Sequence, residues 1–183
     1  MDFIQTKFPE VFLIKPRVFE DNRGYFMESF RNDLFLKHVG EVHFIQDNES
    51  KSTYGVLRGL HYQLPPHGQS KLVRAVTGKV LDVVVDIRRN SPTIGRHITA
   101  ELSEENKHQL FIPRGFAHGF VTLSETAIFS YKVDALYNQH HEHGINYADP
   151  ALKIEWGLPP TQLRVSDKDR DLPFLENAEL FKD

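Results

Sequence analysis

Three separated stretches of the chain hold side chains that move protons and hold anions. The run Gly55–Val56–Leu57–Arg58–Gly59–Leu60–His61–Tyr62–Gln63 sets a guanidinium close to an imidazole, and Lys71 follows shortly after. A second imidazole, His118, closes Pro113–Arg114–Gly115–Phe116–Ala117–His118. Imidazole titrates near neutrality, so it both accepts and returns protons efficiently. A desolvated ammonium stabilises a neighbouring oxyanion more than it does in water. A pocket that gathers His, Lys and Arg therefore suits taking a proton and holding the anion that results.

Strands must position these groups. Lys71–Thr77 and Lys79–Ile87 flank Thr77–Gly78–Lys79, which reads as a hairpin turn with Gly78 supplying a positive φ. Val80–Ile87 is rich in β-branched residues, with Asp82 and Asp86 alternating against Leu81, Val83 and Val85. Further strands are expected at Ile98–Leu102, Gly119–Leu123, Ala127–Val133 and Lys153–Trp156. Helical patterning is scarce. It is confined to Glu28–His38, with Phe30, Leu34 and Phe35 on one face and Gly40 as the stop, to a capped turn at Ser103–Asn106, and to Phe174–Phe181 behind Pro173. Short strands separated by Gly, Pro, Asn and Asp indicate an all-β fold, a jelly-roll barrel or sandwich with a few short helices. Within the first motif, period-two alternation puts Gly59, His61 and Gln63 on one face. Arg58 then needs a twist or bulge to reach the same cavity.

The two histidine motifs resemble the double motif of a cupin β-barrel from which the metal ligands have been removed. Gln63 stands where a second histidine is expected and Lys71 lies near the place of the carboxylate. An ammonium cannot ligate a divalent cation, so no metal is expected. The run Asn138–Gln139–His140–His141–Glu142–His143 reads as a solvated loop rather than a metal tract.

At 183 residues, 40% hydrophobic and 26% charged, the chain reads as one compact cupin-like domain over 1–183. A net charge of -3 offers no basic field for nucleic acid or lipid, and no apolar stretch is long enough to span a bilayer. Met1–Lys7 does not have the form of a signal peptide and there is no cysteine, so the expected location is the cytoplasm.

A longer ordered set of motifs is more specific. Phe19–Phe30, Gln46–Asp47–Asn48, Gly55–Gln63, Ser91–Pro92–Thr93, Ile112–Phe120, Tyr131–Lys132 and Ser166–Asp169 together resemble the dTDP-4-dehydrorhamnose 3,5-epimerases of nucleotide-sugar biosynthesis. The likeness covers nearly the whole chain. It implies a dTDP-linked 4-keto-6-deoxyhexose substrate inverted at the carbons flanking its ketone, through an enolate, without metal, flavin or nicotinamide. It implies His61 as the base, with Asp169 as its carboxylate partner and Asp167 as the competing assignment. Lys71 is then the partner of the enolate oxygen and Tyr131 the acid on the opposite face.

Arg23 and Arg58 match diphosphate-binding positions. Glu28 and Gln46–Asp47–Asn48 match thymidine-recognising ones, and Phe26 offers a ring to stack on the base. Gln63, His118, Glu142 and Lys168 complete the implied substrate contacts. The resemblance also implies a homodimer in which Arg23 and Glu28 serve the partner's pocket. Three alternatives share the motifs: a mono-epimerase, a 3,4-ketoisomerase, and a sugar-nucleotide-binding cupin without catalysis. His61, Lys71, Tyr131 and Asp169 together weigh against the last, because binding alone needs no base and acid.

Overall fold

The computed structural model describes residues 1–182. In chain order the strands are β1 (Asp2–Gln5), β2 (Phe12–Lys15), β3 (Val18–Asp21), β4 (Gly24–Met27), β5 (Gln46–Thr53), β6 (Val56–Gln63) and β7 (Lys71–Thr77). They continue with β8 (Lys79–Asp86), β9 (His97–Ser103), β10 (Gln109–Ile112), β11 (Phe116–Thr122), β12 (Thr126–Val133), β13 (Glu142–Gly144) and β14 (Arg164–Val165). Two short α-helices, α1 (Asn32–His38) and α2 (Asp167–Arg170), accompany them. One sheet runs β1-β2-β10-β7-β12-β5 and the other β13-β6-β11-β8-β9, with β14 added beside β6; β3 and β4 form a separate hairpin. This is the all-β, cupin-like sandwich expected from the sequence.

The layers follow from period-two patterning read on both faces of each sheet. Val73, Val80, Val84, Leu110, Phe120 and Phe129 fill the space between the sheets. On β8 the odd positions Leu81, Val83 and Val85 face the other way, onto Trp156, Leu152, Ile145 and Val165 of the C-terminal third. The second sheet is therefore buried on both sides. The back of the first sheet is covered by Phe35 of α1, which packs on Ile14, Leu72 and Phe111.

Several sequence expectations are corrected. Lys71–Thr77 and Lys79–Ile87 are not a hairpin: β7 pairs with β10 and β12, and β8 with β9 and β11. Gly78 instead turns the chain from one sheet to the other, at φ 70°, where a Cβ would collide with the Thr126 carbonyl. Alternation reports which residues share a face and is silent on which strand lies alongside. The first helix begins only at Asn32, because Arg31 is extended. Lys153–Trp156 is no strand; the Trp156 indole N–H donates to the Tyr147 carbonyl at 3.0 Å, and Ile154 and Trp156 pack into the apolar cluster on the outer face of the second sheet. Behind Pro173 only a turn of 3-10 helix forms, over Leu175–Asn177. The chain then runs along residues 87–89, where Phe181 exchanges backbone hydrogen bonds with Ile87 and Arg89. The histidine run is one 3-10 turn followed by β13, which pairs with the end of β6.

One irregularity sets up the site. On the β6–β11 ladder His61 pairs with His118 and Arg58 with Phe120, so Gly59 and Leu60 oppose the single residue Gly119. This bulge inserts one residue and reverses the alternation, turning Arg58 to the same side as His61. Gly59 therefore does not share the face of His61, although strict alternation implied that it would. It permits close strand approach, since a Cβ there would stand 2.5 Å from the Gly119 Cα, at φ 129°.

Candidate active site

A cavity of about 320 Å³ opens at one end of the sandwich. The second sheet contributes Arg58, His61, His118 and Phe120 to its lining. The first contributes Ser50, Lys71, Phe129 and Tyr131, and the α2 segment closes it with Ser166, Lys168 and Asp169. Thus His61, Lys71, Tyr131 and Asp169, dispersed over more than half the sequence, reach one cavity.

His61 Nε2 lies 2.7 Å from Asp169 Oδ1. The other carboxylate oxygen accepts the Gly59 N–H at 3.3 Å, and the Ser166 hydroxyl caps α2 by accepting the Asp169 N–H. Burial pushes the Asp169 carboxyl up, but His61, Gly59 and Ser166 outweigh it and hold the group below its ordinary value. Between the two candidate partners geometry selects Asp169, which is 4% exposed. Asp167 points to solvent and contacts Arg170.

The Lys71 ammonium donates to the His61 carbonyl at 3.4 Å. Burial pulls it down to about 8, against the opposing fields of Asp82 and Glu142. Tyr131 stands on β12 opposite Asn48, and burial raises its phenol, which stays protonated at neutral pH. His118 is 7% exposed and stacks on Phe129 with ring centroids 6.1 Å apart; its Nε2 lies 2.9 Å from Asp82 Oδ2. Burial, the leading influence, holds the His118 ring below its ordinary value.

At the mouth, Arg58 donates from Nε to the Ser52 hydroxyl at 3.1 Å. Lys168 Nζ and the Tyr137 hydroxyl both donate to Glu142 Oε2, at 2.6 and 2.7 Å, bracing the rim. Along β5, Gln46 and Asn48 lie on the face of Ser50, with the Gln46 amide donating to Asn48 Oδ1 at 2.7 Å. Asp47 lies on the other face and pairs with Lys132 at 2.8 Å.

Of the expected substrate contacts only Arg58, Lys71, His118 and Lys168 line the cavity; Gln46, Asp47, Asn48 and Glu142 lie beyond its lining, and Gln63, Arg23, Phe26 and Glu28 stand elsewhere. Gln63 is buried, and its amide is spent on the backbone of His67, Leu136 and Asn138. It shares the alternation of His61 but lies too far along the strand, where the 134–138 loop claims it. Arg23 and Phe26 belong to the β3–β4 hairpin, away from their own chain's cavity; Arg23 pairs with Asp21 at 2.6 Å and Phe26 is 66% exposed. Glu28 pairs with Arg31 at 3.5 Å.

Ser50, Phe120, Phe129, Ser166 and Asp82 were not foreseen as parts of the site. Ser166 was legible as the start of a Ser-x-x-Asp cap, and Asp82 as an acid in a β-branched strand. Nothing local marks Phe120 and Phe129, whose rings stack at 4.2 Å across the two sheets. Among the described residues no three His, Asp or Glu side chains converge as a metal ligand set.

Known proteins resemble this chain in sequence and in fold. The family model described as dTDP-4-dehydrorhamnose 3,5-epimerase matches residues 5–177. The dTDP-4-dehydrorhamnose 3,5-epimerase of Shigella flexneri is 54% identical over 170 residues, covering 92% of this chain and 93% of that protein. The crystal structure of the enzyme of that name from Elizabethkingia anophelis NUHP1 superposes with a TM-score of 0.93 at 48% identity, over 97% of each chain. The dTDP-6-deoxy-D-glucose-3,5-epimerase of Legionella pneumophila Philadelphia 1, solved in complex with dTDP-4-keto-L-rhamnose, superposes with a TM-score of 0.95. It is 43% identical, over 100% of this chain and 98% of the other.

Proposed function

The chain belongs to the dTDP-4-dehydrorhamnose 3,5-epimerase family, and from that premise we propose that it inverts carbons 3 and 5 of dTDP-4-dehydro-6-deoxy-D-glucose to give dTDP-4-dehydro-L-rhamnose. The ketone acidifies the C–H bond on either side of it. His61 takes the proton through Nδ1, the nitrogen left free by the Asp169 contact. Asp169 orients the ring and stabilises the imidazolium that forms. The Lys71 ammonium holds the enolate oxygen. Tyr131 returns a proton to the opposite face of the sugar. Arg58 and Lys168 meet the diphosphate, and Gln46 and Asn48 supply directional polar groups for the pyrimidine.

One observation carries this reading: the imidazole and the phenol enter the same cavity from different sheets, with the buried ammonium beside them. A proton taken on one side and returned on the other is what inversion requires. The test is incubation of dTDP-4-keto-6-deoxyglucose with the protein in D₂O, followed by NMR. Deuterium is expected at both carbons flanking the ketone. Label at one carbon alone replaces this reading with a mono-epimerase, and no label removes it.

The enzyme works here as a cytoplasmic homodimer. Phe19, Tyr25 and Phe26 are all strongly exposed on the β3–β4 hairpin beside Arg23, which suits insertion into a second subunit's cavity. The absence of cysteine fits a reducing compartment. Among the described residues no helix is long and apolar enough to cross a membrane.

The state of Lys71 sets a pH limit. An ammonium is charged below its pKa, so its hold on the enolate is complete on the acid side and is lost as pH rises through about 8. The profile of kcat/KM, which reports the free enzyme, is expected to fall on the alkaline side near that value. In Lys71→Arg, whose guanidinium does not titrate in this range, that limb is expected to disappear from whatever activity remains. Persistence of the same limb in Lys71→Arg assigns it to another group.

A further inference from the structure

We propose that Asp82 is a positioning residue for this reaction: its buried carboxylate holds His118 with the Nε2 proton turned into the core, and is the counter-charge of the Lys71 ammonium. The inference rests on the functional reading of Lys71 given above.

Asp82 stands in the middle of β8, where Val80 and Val84 on either side are core aliphatics, and it is 0% exposed. A carboxylate in such a place is tolerated only when paired. Oδ2 lies 2.9 Å from His118 Nε2, while Oδ1 has no hydrogen-bond partner among the described residues. One hydrogen bond leaves the group poorly satisfied for any purely structural purpose. An aliphatic side chain there would continue the alternation of the strand without burying a charge.

The contact nevertheless has two chemical consequences. The first concerns His118, which is the register partner of His61 on the neighbouring strand. Beside an ionised carboxylate, Nε2 must carry the ring proton, so Nδ1 is an acceptor. Such a nitrogen suits a sugar hydroxyl and does not compete with Lys71 as donor to the enolate oxygen. A protonated Asp82 would reverse the tautomer and put an N–H at Nδ1 instead.

The second consequence concerns charge. The titratable groups around Lys71 are Arg58 and His61 from β6, His118 from β11 and Tyr131 from β12, with Glu142 from β13 and Lys168 and Asp169 from α2. Of the carboxylates, Asp169 is engaged by His61, and Glu142 by Lys168 and Tyr137. Asp82 is left as the carboxylate of the core, and its field is the largest influence opposing the loss of the Lys71 proton. Burial, the leading influence, holds the Asp82 carboxyl above its ordinary value, against the opposing pull of His118 and Lys71. The two buried groups thus depend on each other for their charges.

Asp82→Asn keeps the shape and removes the charge. In the folded variant the alkaline limb of kcat/KM is expected to move to lower pH by about one unit, so that activity at pH 8 falls about fourfold further than at pH 6.5. A merely structural loss would lower the whole profile and leave the limb in place, which would overturn the proposal. The unsubstituted protein supplies the second measurement, because Asp82→Asn can fail to fold. Nitrogen-15 NMR of the His118 ring, assigned by its loss in His118→Asn, is expected to show the Nε2–H tautomer from pH 6.5 to pH 8. The Nδ1–H tautomer would overturn the proposal whatever the variant does. This reading needs no turnover, so it stands or falls separately from the D₂O experiment that tests the function.

Discussion

Replacing His61 with alanine is expected to lower turnover by at least about 10²-fold, the scale of losing a general base, while the sandwich still forms. The imidazole faces the cavity, with its side chain 29% exposed, so its removal opens no void in the apolar core. The backbone of β6 keeps its ladders with β11 and β13. The local cost falls on Asp169, a largely buried carboxylate that loses one partner and retains the Gly59 N–H and the Ser166 cap. His61→Asn restores a polar neighbour for that carboxylate without restoring a base. Both variants are therefore expected to be inactive, with the asparagine form the more stable in a thermal melt. The variants should also fail to exchange substrate hydrogen with D₂O. Near-normal epimerisation by a folded His61→Ala protein would remove His61 from the role.

Tyr131→Phe is expected to separate the two halves of the reaction. The substitution keeps the ring and its packing against Phe129, whose centroid is 6.4 Å away, and deletes the hydroxyl. Lys71 still holds the enolate and His61 still takes the proton. It can also return a solvent-derived proton to the face from which the first one left. Product formation is expected to fall by about 10²-fold or more, while exchange with D₂O falls by less than about tenfold. The comparison is internal to one NMR experiment, in which deuterium in unepimerised substrate is set against deuterium in product. Equal loss of exchange and product would contradict the acid role and put Tyr131 in binding or in the machinery of the base.

The sequence by itself determined the class of fold and the chemical character of the site. β-Branched residues and alternation along Val80–Ile87, with helical patterning scarce elsewhere, specify strands, because a pleated strand shows its environment residue by residue. The types of side chain at positions 58, 61, 71 and 118 pointed to proton transfer with anion stabilisation, since reactivity belongs to the functional group wherever it is placed, while Tyr131 and Asp169 were marked only by the family resemblance. The need for a bulge at Arg58 was also legible, because Arg58 and His61 have opposite parity on a regular strand. The Ser166–Asp169 cap signal was present as well, lying within four consecutive residues.

Only the tertiary structure decided which strands are neighbours and where a side chain's polar atoms are spent. Gly78 reads as a hairpin turn in any local window, yet the flanking strands belong to different sheets. Their partners are strands later in the chain, chosen by packing between distant segments. Gln63 has the parity of His61 but is consumed by a loop dozens of residues further on. Arg23, Phe26 and Glu28 lie on or beside a hairpin that stands off its own barrel. Asp82 is the plainest case: its alternation set it on the face opposite Leu81, Val83 and Val85, and only the packed sandwich buried that face and brought His118 within hydrogen-bond distance of it. Local pattern reports the face on which a residue lies; its partner across that face is set by the chain that folds against it.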